Sequence, residues 1–195
     1  MPIGDRFPQV LSAAADGADW AWLELYRELA PGLLRFLTAH GASDPEDCLG
    51  EVFLQIVRQL SRFEGDEPDF RTWAFTIARS RLIDSWRREQ RRPARSGADV
   101  LAAADQLRPS TPGDSPSEQR AAIEEILAGL SADQRAVLLL RYVHQFSVEE
   151  TARIIVKSEG AVRVLQHRAL RSLRRTLSRR GTDQPSIWVR QSATV

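Results

Sequence analysis

The residues with the most chemical promise lie toward the C-terminal end, in a run from Lys157 to Arg180 that holds eight Lys or Arg against one acid, Glu159. They carry no nucleophile paired with a base. What they offer is cationic and hydrogen-bonding contact with a polyanion, since neutralising phosphates releases counterions and supplies affinity whatever the sequence. The run carries a local charge near +7, while the whole chain of 195 residues sums to +1. Glu159, Arg163, Val164 and His167 fall in the first turns after Ser158, where a helix-turn-helix places the side chains that reach base edges in the major groove. Arg168, Arg171, Arg174 and Arg175 follow along the same helix and suit phosphate oxygens.

A reader helix needs elements to hold it. Upstream, Ser131 with Asp133 and Gln134 forms a helix-start signature, and Val137, Leu138, Leu139, Tyr142 and Val143 recur at three and four residues. The spacing predicts an amphipathic helix to about Val143. Ser147 with Glu150 makes a capping box, opening a short helix whose Val148, Thr151, Ala152 and Ile155 share one side. Ser158 caps the basic helix, whose buried stripe is Val162, Leu165, Ala169, Leu170, Leu173 and Leu177. Arg163, His167, Arg171, Arg174 and Arg175 fall largely outside that stripe.

A second arginine cluster lies further upstream. Residues 71–92 hold seven arginines and two acids, a net of +5, directly behind residues 1–70, which hold 13 acids and five bases, a net of −8. Such polarity suggests nucleic acid on the basic side and a protein on the acidic side. This front part reads as three or four helices. Trp20, Leu23, Leu25, Tyr26 and Leu29 mark the first, which Pro31 interrupts or restarts, and Leu33, Leu34, Phe36 and Leu37 carry the pattern on to Gly41. Ser43 or Asp44 caps the next, with Pro45 at its first position and Cys48, Leu49, Val52, Phe53, Ile56, Val57 and Leu60 as its apolar set. An acidic loop from Phe63 to Phe70 follows, broken by Gly65 and Pro68. From Phe70 to about Arg88 a third helix has Trp73, Ala74, Ile77, Ala78, Leu82 and Trp86 inward, and Arg71, Arg79, Arg81, Arg87 and Arg88 outward. Trp73 and Trp86 are read as core residues from their helical spacing, with base stacking as the second reading.

Between Gln90 and Ser117 the composition turns to Arg, Pro, Gly, Ser and Ala, which marks a flexible linker in which Val100–Leu107 has room for a turn or two of helix. The tail beyond Gly181, with Ile187 and Trp188, is too short for a domain and is expected to be disordered. Cys48 is the only cysteine, so an internal disulfide and multi-cysteine zinc sites are excluded, and it reads as a packed residue. His40, His144 and His167 lack metal-ligand spacing. No apolar run approaches the ~18 residues of a membrane span and no signal peptide is legible, so a cytoplasmic protein without membrane insertion is expected.

Taken in order, the segments SDPEDCLGEVFLQIVRQLSRF (43–63), FRTWAFTIARSRLIDSWRR (70–88) and the run from Leu130 to Arg175 resemble the extracytoplasmic-function sigma factors of bacterial RNA polymerase. The resemblance covers Trp20 to Arg92 and Glu118 to Arg180. It implies an all-α chain of two small helical domains: an N-terminal extension (1–19), a promoter-melting domain (20–92), the Pro-rich linker (93–117), a helix-turn-helix domain (118–180) and a tail (181–195). It implies that the helix matching Asp44–Leu60 meets the clamp helices of the large polymerase subunit through Asp47, Glu51, Gln55 and Arg58. It further implies that the acidic loop and third helix open the minus-10 element and take a flipped base, with Phe63, Asp66, Arg79, Ser80, Arg87 and Arg88 in contact. Capturing an extruded base calls for stacking and edge hydrogen bonds while arginines hold the strand. The minus-35 element would be read as duplex by Ser158, Glu159, Arg163, Val164, His167, Arg168, Arg171, Arg174 and Arg175.

Several positions depart from the family pattern. Gly50 stands where Gln is usual and Ser80 where Asn is common, and Val164 and Gln166 also differ from common choices. Val156 and Lys157 occupy a turn that usually holds a Gly and an apolar residue, and a β-branched residue disfavours positive φ there. The expected partners are core RNA polymerase, promoter DNA and an anti-sigma factor. No phosphate-cradling loop, metal constellation or activated nucleophile is present in the sequence, so neither enzymatic chemistry nor a cofactor is expected. The alternative is a stand-alone helix-turn-helix regulator, which leaves the basic helix ahead of the linker without a role.

Overall fold

A computed structural model describes residues 3–90 and 129–179, and the linker, the tail and the first residues fall outside that range. A 3-10 turn, Gly4–Arg6, leads into α1 (Phe7–Ala15), followed by α2 (Asp19–Ala39), α3 (Pro45–Gln59) and α4 (Glu67–Gln90). After the linker come α5 (Ala132–Leu138), a π-helical turn (Leu139–Val143), α6 (Val148–Ile155) and α7 (Glu159–Arg179). Among the described residues there is no strand, as an all-α fold requires.

Local chemistry sets most of the ends. Asp44 accepts from Asp47 N at 2.9 Å with Pro45 just behind it, so α3 begins where its cap and proline place it. Full capping boxes start α5, between Ser131 and Gln134, and α6, between Ser147 and Glu150. Ser158 Oγ accepts from Ala161 N at the head of α7.

Three expectations need correction. Pro31 neither breaks nor restarts α2, because it lies on the exposed side, where the hydrogen bond it lacks faces water rather than the core. Helix α4 begins three residues before Phe70, since Asp66 Oδ1 accepts from Asp69 N and supplies an earlier cap. The helix ahead of Val143 is α-helical only to Leu138 and then widens into the π turn, beyond which Gln145 takes φ 59.

Helix α6 closes with Val156 in the left-handed region, at φ 54 and ψ 53, against the preference of a β-branched side chain. The reason is the closing hydrogen bonds: Lys157 N donates to Ala152 O at 3.0 Å and Val156 N to Arg153 O at 3.3 Å. This Schellman arrangement demands a left-handed residue at its turn whatever the side chain.

The core is shared by both halves of the chain. Leu25, Leu33, Phe36, Leu37, Val52, Ile56 and Leu82 are fully buried from the front half, and Val137, Leu140, Phe146, Ile154 and Val162 from the back. Val57, expected inside, is 52% exposed beside Leu54, so α3 turns an apolar edge to solvent. Gly32 of α2 faces Phe75 of α4, where an added Cβ would lie in ordinary contact, 3.4 Å from Phe75 Cζ. Phe75 of α4 then meets His144 and Phe146 at ring distances of 4.8 and 4.9 Å, so α4 is packed by α2 and α3 on one side and by the helix-turn-helix unit on the other.

Candidate nucleic-acid interface

The expected duplex reader stands open. Ser158, Glu159, Arg163, Val164, His167, Arg168, Arg171, Arg174 and Arg175 are all exposed, while Val162 and Ala169 on the opposite side of α7 are buried. Arg163 bonds Glu159 at 2.8 Å one turn back, which fixes both side chains at the leading end of the helix. Among the described residues no ion pair involves the four arginines from Arg168 to Arg175. Val164 is 49% exposed, an apolar contact placed between charged ones.

The polymerase set and part of the minus-10 set meet in one groove. Glu51, Gln55 and Arg58 line one wall on α3, and Arg81, Asp84, Arg87 and Arg88 line the other on α4, around a volume of about 530 Å³. Arg88 spans it to Glu51 with bonds of 3.1 and 3.3 Å, and Arg81 reaches Gln55 at 3.1 Å. The Glu51 carboxylate, as bond partner and as charge, holds the Arg88 guanidinium more strongly protonated than usual. Asp47 sits apart, exposed in the first turn of α3. Cys48 beneath it is buried, and burial followed by Glu51 and Asp47 pushes its thiol up to about 11, as suits a packed residue rather than a reactive one.

At the acidic loop, Phe63 is half-buried against Phe70 and Trp73, with ring distances of 5.2 and 5.1 Å. Asp66 is exposed and engaged as the cap of α4. Beside Phe63 opens a cleft of about 670 Å³ lined by Arg62, Thr72, Trp73, Thr76 and Arg153 among others. Trp73, read as core, turns part of its ring to this cleft. Arg62, Thr72 and Thr76 were not singled out from the sequence, although Thr72, Trp73 and Thr76 lie at the spacing that puts residues on one helix face. Ser80 is exposed, as are Arg87 and Arg88.

Arg79 departs most from expectation. It is only 9% exposed and bonds Asp133, at the start of α5, at 2.6 Å. Burial works against the Asp133 carboxylate, yet Lys157, at 3.1 Å, and Arg79 together hold its pKa below the ordinary value. Arg71, likewise expected outward, donates to His144 O at 2.6 Å and lies over the Phe146 ring. Arg153 of α6 pairs with Asp69 at 2.8 Å at the mouth of the cleft and holds that carboxyl below its usual range. These partners are 54 to 84 residues apart in sequence, so no local pattern announces them. Among the described residues no cluster of metal-ligating side chains occurs, and no helix is long and apolar enough to cross a membrane.

The two helical units match known families in chain order. Residues 23–92 match Sigma-70 region 2, and residues 120–173 match Sigma-70, region 4, so the front bundle and the helix-turn-helix are the two promoter-binding regions of a sigma factor. The chain is 34% identical over 182 residues to the ECF RNA polymerase sigma factor SigL of Mycobacterium tuberculosis, covering 89% of this chain and 97% of SigL. It is 31% identical over 176 residues to the ECF RNA polymerase sigma factor BldN of Streptomyces coelicolor, covering 88% of this chain and 66% of that longer protein. The chain belongs to the ECF sigma factors, initiation factors that direct RNA polymerase to promoter DNA. Its fold is that of the sigma factor RpoE of Bartonella quintana, solved in complex with the anti-sigma factor NepR, with a TM-score of 0.64 at 22% identity over 80% of this chain and 96% of that one. The stand-alone regulator is not favoured, because the region 2 match accounts for the front half.

Proposed function

We propose that the two units read two promoter elements for the polymerase. Helix α7 enters the major groove of the minus-35 duplex with Glu159, Arg163, Val164 and His167 on base edges, while Ser158, Arg168, Arg171, Arg174 and Arg175 hold phosphates. The cleft beside Phe63 receives a base extruded from the minus-10 strand, with Asp66 and Ser80 at its approaches and Arg79, Arg87 and Arg88 along the backbone. Helix α3, through Asp47, Glu51, Gln55 and Arg58 and the exposed Leu54 and Val57, docks on the polymerase. The protein supplies specificity in the cytoplasm and leaves the chemistry to the polymerase, and an anti-sigma factor is its natural inhibitor.

The observation that carries this reading is the contrast along α7, buried on one side and exposed and predominantly basic on the other from a capped start. Arg79 adds a condition. Since Asp133 holds it within the protein, regions 2 and 4 must part before it meets a strand.

Reconstitution with bacterial core polymerase and transcription from fragments of the parent genome test the reading. Specific transcripts that depend on this protein, and that fail when α7's Arg163 and His167 are replaced by Ala, are the expected result. Unchanged start sites, together with protection of discrete duplex sites by the protein alone, would overturn it in favour of a polymerase-independent regulator.

A further inference from the structure

The segment ahead of the region 2 match is folded onto the acidic loop. The backbone N–H groups of Ile3 and Gly4 both donate to the carboxylate of Glu67, at 2.6 and 2.8 Å, so one side chain at the head of α4 grips the start of the chain through two charge-assisted bonds. Four residues on, Phe7 is buried with its ring 5.5 Å from Phe70. Phe70 in turn touches Phe63 and Trp73, so a chain of rings runs from α1 to the residue expected at the extruded base. The loop between is tight. Gly65 sits at φ 151, and a Cβ there would fall 2.9 Å from Asp69 Cβ and 3.1 Å from Phe63 Cζ.

Neither Glu67 nor Phe7 belongs to the groove or the cleft assigned above. Both hold the backbone that follows Asp66, and Phe70 carries that hold to Phe63 through its ring. A loop of four residues, Phe63 to Asp66, with Gly65 within it has no regular backbone ladder of its own, so its conformation depends on what clamps it. Flipped-base recognition depends on placement to within about 0.5 Å, which makes that clamp matter for choice of base and not only for folding.

We propose that residues 3–15 form a positioning clip for minus-10 recognition, in which Glu67, holding the N–H groups of Ile3 and Gly4, and Phe7, packed on Phe70, set the loop that presents Phe63 and Asp66 to the extruded base. Glu67 and Phe7 are positioning residues that do not touch DNA. The proposal rests on the reading of this loop as the minus-10 contact.

The test is a base-preference profile. Full-length protein is reconstituted with core polymerase, and transcription is measured from promoters carrying every single-base change in the minus-10 and minus-35 elements. Glu67→Ala and Phe7→Ala are expected to flatten discrimination at the minus-10 by roughly tenfold, equivalent to about 1.4 kcal/mol, while leaving the minus-35 profile and core affinity as they are. Glu67→Gln, which keeps one acceptor, falls between. Leu33→Ala on α2 serves as the destabilised control, expected to lower the melting temperature with the profile intact. A proportional loss at every promoter in Glu67→Ala, or the same flattening in Leu33→Ala, would show a general loosening and overturn the clip. If the wild-type protein itself shows no minus-10 preference, the reading of the loop falls first, and that outcome is visible before any variant is made.

Discussion

Two arginine-rich helices face different fates in this protein. On α4, Arg71, Arg79, Arg81 and Arg88 each bond another part of the chain, and Arg79 is nearly buried. On α7, Arg168, Arg171, Arg174 and Arg175 stand exposed. A count of charges treats the two stretches alike, but on α4 Arg71, Arg79, Arg81 and Arg88 are engaged within the protein, whereas on α7 the four arginines are free to release counterions from a duplex. The difference teaches that a net charge along a sequence is an upper bound on the charge a partner meets. Region 4 takes up two of the α4 cations, Arg79 through Asp133 and Arg71 through the His144 carbonyl, while Gln55 and Glu51 of region 2 hold Arg81 and Arg88.

The largest expected effect separates the helices directly. Replacing Arg168, Arg171, Arg174 and Arg175 together with Ala should cut affinity for minus-35 duplex on the order of a thousandfold and reduce the slope of log affinity against log salt by roughly 3.6, at about 0.9 per phosphate contact. Arg79→Ala should leave that slope where it is. Fluorescence anisotropy over a salt series reads both, and an equal loss from Arg79→Ala would break the comparison.

Acid should weaken the packing that keeps α4 covered. His40 is held down to about 4 by burial, with Arg79 and Arg135 adding to the effect against the opposing Phe36 carbonyl. His144, seated against Phe36 and Phe75, is held down to about 4 by burial, then by Arg71, Arg35 and His40. Above the ordinary imidazole value of about 6.5, both rings are neutral whether the chain is folded or not, so the packing is unaffected. As pH falls from there toward 4 the unfolded chain takes protons that the folded one refuses, and stability drops, by about 3 kcal/mol per ring before levelling off. Thermal melts between pH 7 and pH 4 should show the decline, and His144→Phe should shrink it. A flat profile would mean that these rings are not desolvated as packed.

A smaller effect concerns Asp133. Asp133→Ala leaves Arg79 without its partner and should part the two regions more often, since breaking a partly buried pair removes its attraction and strands a charge. The expected outcome is roughly tenfold tighter binding of a single-stranded minus-10 oligonucleotide at unchanged minus-35 affinity, a shift of about 1.4 kcal/mol. No gain for the single strand would mean that the contact with Asp133 does not withhold Arg79.

The limits of reading α4 from sequence follow from the same contacts. Periodicity found most of the buried positions of α3, α6 and α7, misplacing Val57 of α3 and missing Ile154 of α6. The caps at Asp44, Ser131, Ser147 and Ser158 were legible because a cap and its target lie within four residues of each other. Helix α4 is covered on two sides, so Thr72 and Arg79 are buried with Ala74 and Ala78, and the apolar stripe no longer marks the inside. In the sequence Asp69 belongs to the acidic loop and Asp133 to a helix-start signature, and only the fold reveals them as partners of Arg153 and Arg79. The segment before Trp20 gave no motif at all, because Glu67 grips it through backbone N–H groups that every sequence possesses.

The smallest expected effect touches region 4 alone. Val156 is 82% exposed and left-handed, so its side chain contributes little packing while its backbone carries a penalty of roughly 1–2 kcal/mol for a residue with a Cβ. Val156→Gly relieves that penalty but gives the unfolded chain more freedom, which offsets part of the gain. The net should be about 1 kcal/mol of stabilisation, a rise of roughly 2–4 °C in melting temperature for a chain of this size. Because the Lys157 to Ala152 and Val156 to Arg153 bonds are backbone bonds, the variant keeps the angle between α6 and α7, and minus-35 affinity should hold. A fall in melting temperature would mean that Val156 contributes packing its exposure does not show. A change in minus-35 affinity with stability improved would place the side chain of Val156 itself at the duplex.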